Sequence, residues 1–254
     1  MQNRFMYTPF LIDQPQPEIA KLAQADWKAN EPDVSHDDRY TRMSALNENL
    51  AAFVTETVIA GDRPVSVNGD CCVTIGMLAG LQHAQLDPLL IWLDAHGDFN
   101  TFETSPSGFI PGMSLAMIVG RGEQKLMTLA GAKPLAEDQV ILTDGRNLDL
   151  VEGLEVTASK VQHINYADDL LKVDLGDRPI YVHFDTDILN PSDAPALLYA
   201  TEGGPKLDAL KAVMKHLAST GKVVAVSMTV WDMANDKDQQ TQEACLACLD
   251  ALVK

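Results

Sequence analysis

Short apolar, β-branched runs return at regular intervals along this chain, separated by stretches of helical periodicity. The runs occupy residues 64–67, 89–93, 140–142, 180–184 and 223–228. They are nearly continuous rather than alternating, the pattern of strands buried on both faces. Between them, Met43, Leu46, Leu50, Phe53 and Val54 recur at three- and four-residue steps, as do Leu207, Leu210, Val213, Met214 and Leu217. Those stripes are helix faces. Parallel strands need crossover connections, which helices supply, so the expected fold is a three-layer α/β/α domain around a mainly parallel sheet. No linker, low-complexity tract or repeat divides the chain. Residues 1–254 are therefore read as one domain, with residues 1–35, which contain Pro9, Pro15, Pro17 and Pro32, as an irregular lead-in.

Composition narrows the function classes. A formal net charge of -17 repels phosphate backbones and anionic lipid, and the lysines and arginines form no patch, which argues against nucleic-acid partners. No apolar run approaches the roughly 18–20 residues of a membrane span, and the first ten residues lack the plan of a secretory signal, so the expected location is the cytoplasm, with no membrane partner. The four cysteines do not form a disulfide framework: Cys71 and Cys72 are adjacent, and Cys245 and Cys248 fall on the apolar face of a terminal helix. Neither a Gly-Lys-Ser/Thr phosphate loop nor a Gly-x-Ser-x-Gly elbow is present, which removes nucleotide binding and serine hydrolysis.

The chemistry gathers where two of the apolar runs end. After Leu89-Leu90-Ile91 the chain reads Trp92-Leu93-Asp94-Ala95-His96-Gly97-Asp98, and alternation sets Asp94, His96 and Asp98 on one side. The run from Ile180 likewise ends in Asp185-Thr186-Asp187. Ligands of open parallel sheets bind at this C-terminal edge. One carboxylate there is ordinary turn chemistry, but several anionic or imidazole groups packed together repel one another and call for cations. A third junction, Asn68-Gly69-Asp70-Cys71-Cys72, would bring Cys71 to the same edge, either as a ligand or as a small buried side chain. His183 should share a side with Asp185, as support for the site or as a core histidine.

These segments resemble those of the ureohydrolases, the family of arginase, agmatinase and formiminoglutamase. Asp94-Ala95-His96-Gly97-Asp98 matches the family's Asp-Ala-His-x-Asp motif in full. Asp185-Thr186-Asp187-Ile188-Leu189-Asn190-Pro191 matches most of its Asp-x-Asp-x-x-Asp-Pro motif, and Asn68-Gly69-Asp70-Cys71 is similar to its Gly-Gly-Asp-His segment. The resemblance implies an arginase-like fold with two Mn2+ per chain, in which a metal-bridging hydroxide attacks the carbon of a small linear guanidino or amidino substrate and urea or a related amide leaves. By position it implies that Asp94 and Asp185 bridge the metals, that His96 and Asp187 complete one site, and that Asp98 and Cys71 complete the other. A homo-oligomer is also implied.

Departures from the family pattern carry their own expectations. Cys71 stands where the family has histidine, so a thiolate would replace a neutral ligand, make the bound water less acidic, and admit Zn2+, Fe2+ or Co2+. Gly108-Phe109-Ile110-Pro111-Gly112-Met113 lacks the substrate-contacting histidine of arginases and agmatinases. Near residues 223–230, Val230 falls at the position of their substrate carboxylate, with Asp232 two residues on either as a substitute or, in the preferred reading, as a surface or turn aspartate. The expected activity is therefore hydrolysis of a linear amidine, with arginine and agmatine poor substrates; the competing expectation is a metal-binding relative without turnover.

Overall fold

The computed structural model describes residues 1–36 and 38–254. In chain order, β1 (Asn3–Thr8) leads to a hairpin of β2 (Phe10–Leu11) and β3 (Gln14–Pro15), then to β4 (Lys28–Ala29). The long helix α1 (Arg39–Ile59), β5 (Arg63–Asn68), α2 (Thr74–His83) and β6 (Leu89–Asp94) follow. Two short helices, α3 (Ser114–Ile118) and α4 (Lys125–Leu129), precede β7 (Val140–Asp144), α5 (Leu150–Ala158) and β8 (Gln162–Ile164). The last elements are β9 (Ile180–Phe184), α6 (Leu207–Ser219), β10 (Val223–Thr229) and α7 (Gln240–Val253).

Eight strands form one sheet in the order β4-β1-β5-β10-β9-β6-β7-β8, with every pairing parallel. Alternation along the strands feeds two apolar layers. Leu90, Trp92, Leu142 and Tyr181 face a layer built with α1 to α5, whereas Ile91, Leu93, Val182 and Phe184 face one built with α6 and α7. The fold is the three-layer α/β/α arrangement that the strand and helix pattern calls for. Glycine lets α2 lie tightly against α1: a Cβ on Gly80 of α2 would stand 2.5 Å from Val54 Cβ of α1.

The five apolar runs are all strands, each extended at most by one or two residues. The first 35 residues correct an expectation, because they are not wholly irregular. β1 lies inside the sheet between β4 and β5, pairing Asn3–Thr8 with Arg63–Asn68 in register. Its alternating polar residues conceal it, since only Met6 and Thr8 are fully buried. Among the described residues, no helix is long and apolar enough to cross a membrane.

Candidate metal centre and active-site cavity

Three strand ends meet at the carboxyl edge of the sheet. After β5, Gly69 lets the chain pass against the lead-in, since a Cβ there would stand 2.0 Å from Phe10 O. Asp70 then accepts hydrogen bonds from the backbone N–H groups of Cys72, at 2.8 Å, and Ile12. These bonds aim Cys71 at the sheet edge, where its thiol donates to Asp185 Oδ2 at 3.2 Å. Cys72 points elsewhere, toward Ser114 Oγ at 3.5 Å.

After β6, Asp94 accepts from Trp92 Nε1 at 2.9 Å through Oδ2 and from the backbone N–H of His96 at 2.7 Å through Oδ1. His96 Nδ1 lies 2.9 Å from Asp187 Oδ2 and 3.5 Å from Asp94 Oδ1, while Nε2 lies 3.2 Å from Asn147 Nδ2. Asp98 is buried in a left-handed backbone conformation at φ 48°, and its Oδ2 has no hydrogen-bond partner. After β9, Asp185 Oδ1 accepts from the N–H of Asp187 at 2.9 Å, and Asp187 Oδ1 accepts from the N–H of Ala95 at 3.2 Å.

Two sets of potential ligand atoms each lie within 4.8 Å of one another: Cys71, Asp94, His183 and Asp185 in one, and Asp94, His96 and Asp187 in the other. Asp94 belongs to both. Burial, then the charge of Asp187, pushes Asp185 up to about 7; burial, then the charge of Asp94, pushes Asp187 up to about 6. Asp98 is raised well above the carboxylate range by burial and by Asp94. Burial works to lower His96, but hydrogen bonds and charge from Asp187 and Asp94 hold it up at about 12. Burial alone drives His183 down to about 3, so it is neutral. Among the described residues, no Lys or Arg forms an ion pair with Asp94, Asp98, Asp185 or Asp187. A buried carboxylate cluster with His96 but no Lys or Arg beside it among the described residues, together with an orphaned Asp98 oxygen, is a donor set that suits divalent cations.

The cluster floors a cavity of about 590 Å³. Leu11, Ile12, Phe109, Ile110 and Tyr199 form apolar walls, while Asn100, Ser105, Ser107, Asn147 and Asp149 add polar groups. Tyr199 closes one side, with its ring 5.7 Å from Phe109 and edge-on to His96 at 6.4 Å.

The sequence model of the arginase family matches residues 13–253. The chain belongs to the arginase family. The arginase of Bacillus caldovelox is 31% identical over 232 residues, spanning 85% of this chain and 78% of that one. The arginase of Bacillus subtilis is 28% identical over 243 residues, spanning 90% and 82%. The crystal structure of the Bacillus subtilis arginase superposes with a TM-score of 0.85 over 100% of this chain and 98% of that one; at 24% identity this likeness speaks to the fold.

Within this arginase-family site the structure brings Cys71, Asp94, His96, Asp98, Asp185 and Asp187 to one cavity. Asp232 is not brought there. Its carboxylate accepts from Asn235 and its N–H donates to Ala196 O at 2.8 Å, so it serves a turn, and Val230 lines the cavity in its stead. β10 ends at Thr229, and Asp232 opens the turn in which the N–H of Asn235 donates to its carbonyl at 3.1 Å. Pro111 stands on the cavity wall, and the segment of residues 108–113 around it brings no histidine there. Sequence reasoning passed over Trp92, whose position two residues before Asp94 was the available signal, and Tyr199, for which there was none.

Proposed function

We propose that this protein hydrolyses a carbon–nitrogen bond of a small linear guanidino or amidino compound at a binuclear metal centre, releasing urea or a related amide. Family membership and the meeting of two ligand sets that share Asp94 support this reading, and the shared carboxylate is the observation that carries it. Asp94 and Asp185 would bridge the two cations, His96 and Asp187 would complete one site, and Cys71 with Asp98 would serve the other. Divalent cations held there supply Lewis acidity and acidify water at neutral pH. Mn2+ is the family's metal, and the sulfur of Cys71 also suits Zn2+, Fe2+ or Co2+. The residues bind and orient the substrate: the carboxylate floor attracts a planar cation, Tyr199 and Phe109 exclude water from its flank, and the polar wall from Asn100 to Asp149 receives its tail.

Pro111 and Val230 supply neither a proton nor a charge. Each charge-assisted hydrogen bond missing at these two positions weakens transition-state binding by on the order of 1–3 kcal/mol, so arginine and agmatine are expected to be poor substrates. The four free thiols suit a reducing compartment, which supports a cytoplasmic location. The exposed face of α5, with Leu150 84% and Leu154 63% accessible, supports assembly into a homo-oligomer. The test is metal content of the purified protein, followed by urea, formamide and ammonia release from a panel of guanidino and formimino compounds. Two metals with turnover of a compound other than arginine is the expected result. Two metals without turnover of any would favour a structural or regulatory relative, and unchanged metal content in both Asp94→Ala and Asp185→Ala would remove the centre.

A further inference from the structure

His183 lies beneath the carboxylate floor with one nitrogen engaged and the other alone. It sits on β9 and is wholly buried, with its ring against Trp92 at a centroid separation of 4.0 Å. Nδ1 lies 2.9 Å from Ser227 Oγ on the neighbouring β10, and that hydroxyl lies 2.7 Å from Tyr181 Oη. Nε2 has no hydrogen-bond partner. Buried polar nitrogens without partners are rare, and such a group in a native structure calls for a partner beyond the protein's own atoms.

The neighbours of His183 indicate what that partner is. Its ligand atom lies within 4.8 Å of those of Cys71, Asp94 and Asp185. Metal–ligand bonds of about 2.0–2.3 Å put neighbouring donors roughly 3–4 Å apart, so modest closure of this group around an ion suffices. We propose that His183 Nε2 is a direct ligand of the cation beside Cys71, delivering from β9 the neutral nitrogen that the family motif takes from the position of Cys71. The assignment rests on the metal-centre reading above.

Geometry and charge both favour this arrangement. Metal-binding histidines are oriented through their other ring nitrogen, and the Ser227–Tyr181 pair provides that support: Nδ1–H donates to Ser227 Oγ, whose hydroxyl passes on to Tyr181. A thiolate at Cys71 with Asp94, Asp98 and Asp185 gives four anionic donors. A further donor without charge adds coordination without adding repulsion, which another carboxylate would not.

The test uses the full-length protein loaded with Co2+ alone or Zn2+ alone. X-ray absorption on the wild-type protein with two ions per chain is expected to count two imidazoles and one sulfur across the pair, because His96 serves the other site. His183→Ser should weaken one of the two ions by at least about 10–100-fold, the loss that removal of even an outer hydrogen-bond partner produces. The double variant Cys71→His with His183→Ser, which moves the imidazole back to the family position, should recover binding of both ions and lose the sulfur signal. A single imidazole across the wild-type pair overturns the assignment while leaving the metal centre intact, and needs no variant to fold. Equal affinity for both ions in His183→Ser also overturns it. Wild-type protein that binds neither Co2+ nor Zn2+ overturns the metal-centre reading itself, and this assignment with it.

Discussion

Trp92 and Asp94 lie on the same face of β6, and the indole Nε1 donates to Asp94 Oδ2 across 2.9 Å. With the N–H of His96 on the other oxygen, the carboxylate that belongs to both ligand sets is held in place by protein donors alone. Trp92→Phe removes the donor and keeps most of the ring. Its metal affinity, measured by competition with a chromophoric chelator, is expected to fall by about 10–100-fold. Unchanged affinity would show that Asp94 needs no such support.

The metal-free protein should lose stability as pH rises through neutrality. Asp185 and Asp187 titrate near 3.8 when unfolded and near 7 and 6 when folded, so the native state keeps protons that the unfolded chain has released. Their contribution is present at low pH and is lost as pH rises through those folded values. His96, raised from 6.5 to about 12, acts in the same direction above 6.5. His183, lowered from 6.5 to about 3, acts oppositely but only below 6.5. Urea midpoints without metal are therefore expected to drop between about pH 6.5 and 8, and to hold or rise when metal is present, because cations take the place of the protons. A metal-free midpoint that rises over this interval would contradict the assignment of these shifts.

Arg146 ties the end of β7 to the loop after β9. Its guanidinium donates to Asp144 Oδ2 at 2.8 Å, to the carbonyls of Asp187 and Ile188 at 3.1 Å, and to that of Thr201 at 3.0 Å. Its side chain is 15% exposed and that of Asp144 is 5% exposed. Arg146→Ala strands that carboxylate, and the expected loss is about 3–5 kcal/mol in urea unfolding. Arg146→Lys should restore only part of this, since an ammonium cannot reproduce the planar fork. Full restoration by lysine would mean that charge alone matters.

Gly69→Ala tests how Cys71 is placed. The added methyl would stand 2.0 Å from the Phe10 carbonyl oxygen, a backbone atom that cannot swing aside. The expected cost is about 1–3 kcal/mol, with loss of the sulfur-to-Co2+ charge-transfer band as Cys71 shifts. An unaltered band at wild-type stability would rule out so close a backbone approach.

The central strands were legible because burial on both faces forces unbroken apolar runs, as in Ile180-Tyr181-Val182. The outer strands were not: the edge strand β8 is three residues long with Gln162 exposed, and β1, one strand in from the other edge, hides behind Asn3 and Arg4. In the site, the paired spacing of Asp94 with His96 and of Asp185 with Asp187 pointed to one sheet edge because side chains two apart on a strand share a side. That rule fails once the strand ends, as at Asp232, which lies past β10 and serves the turn that its sequence context also suggested. The partners of His183 come from neighbouring strands, through the register that sets Trp92 and Ser227 on either side of it. No spacing along one strand reports such a relationship.

β10 joins two parts of the sheet that do not otherwise touch, with β5 on one side and β9 on the other. Asp94, His96, Asp185 and Asp187 all follow β6 or β9, which pair directly, whereas Cys71 follows β5. The residues of β6 and β9 can therefore meet without residues 223–229, whereas Cys71 reaches the same edge only once that strand stands between β5 and β9. Long-range parallel pairing is slow to form. A chain lacking β10 would still bring Asp94, His96, Asp185 and Asp187 together on paired strands, but not Cys71.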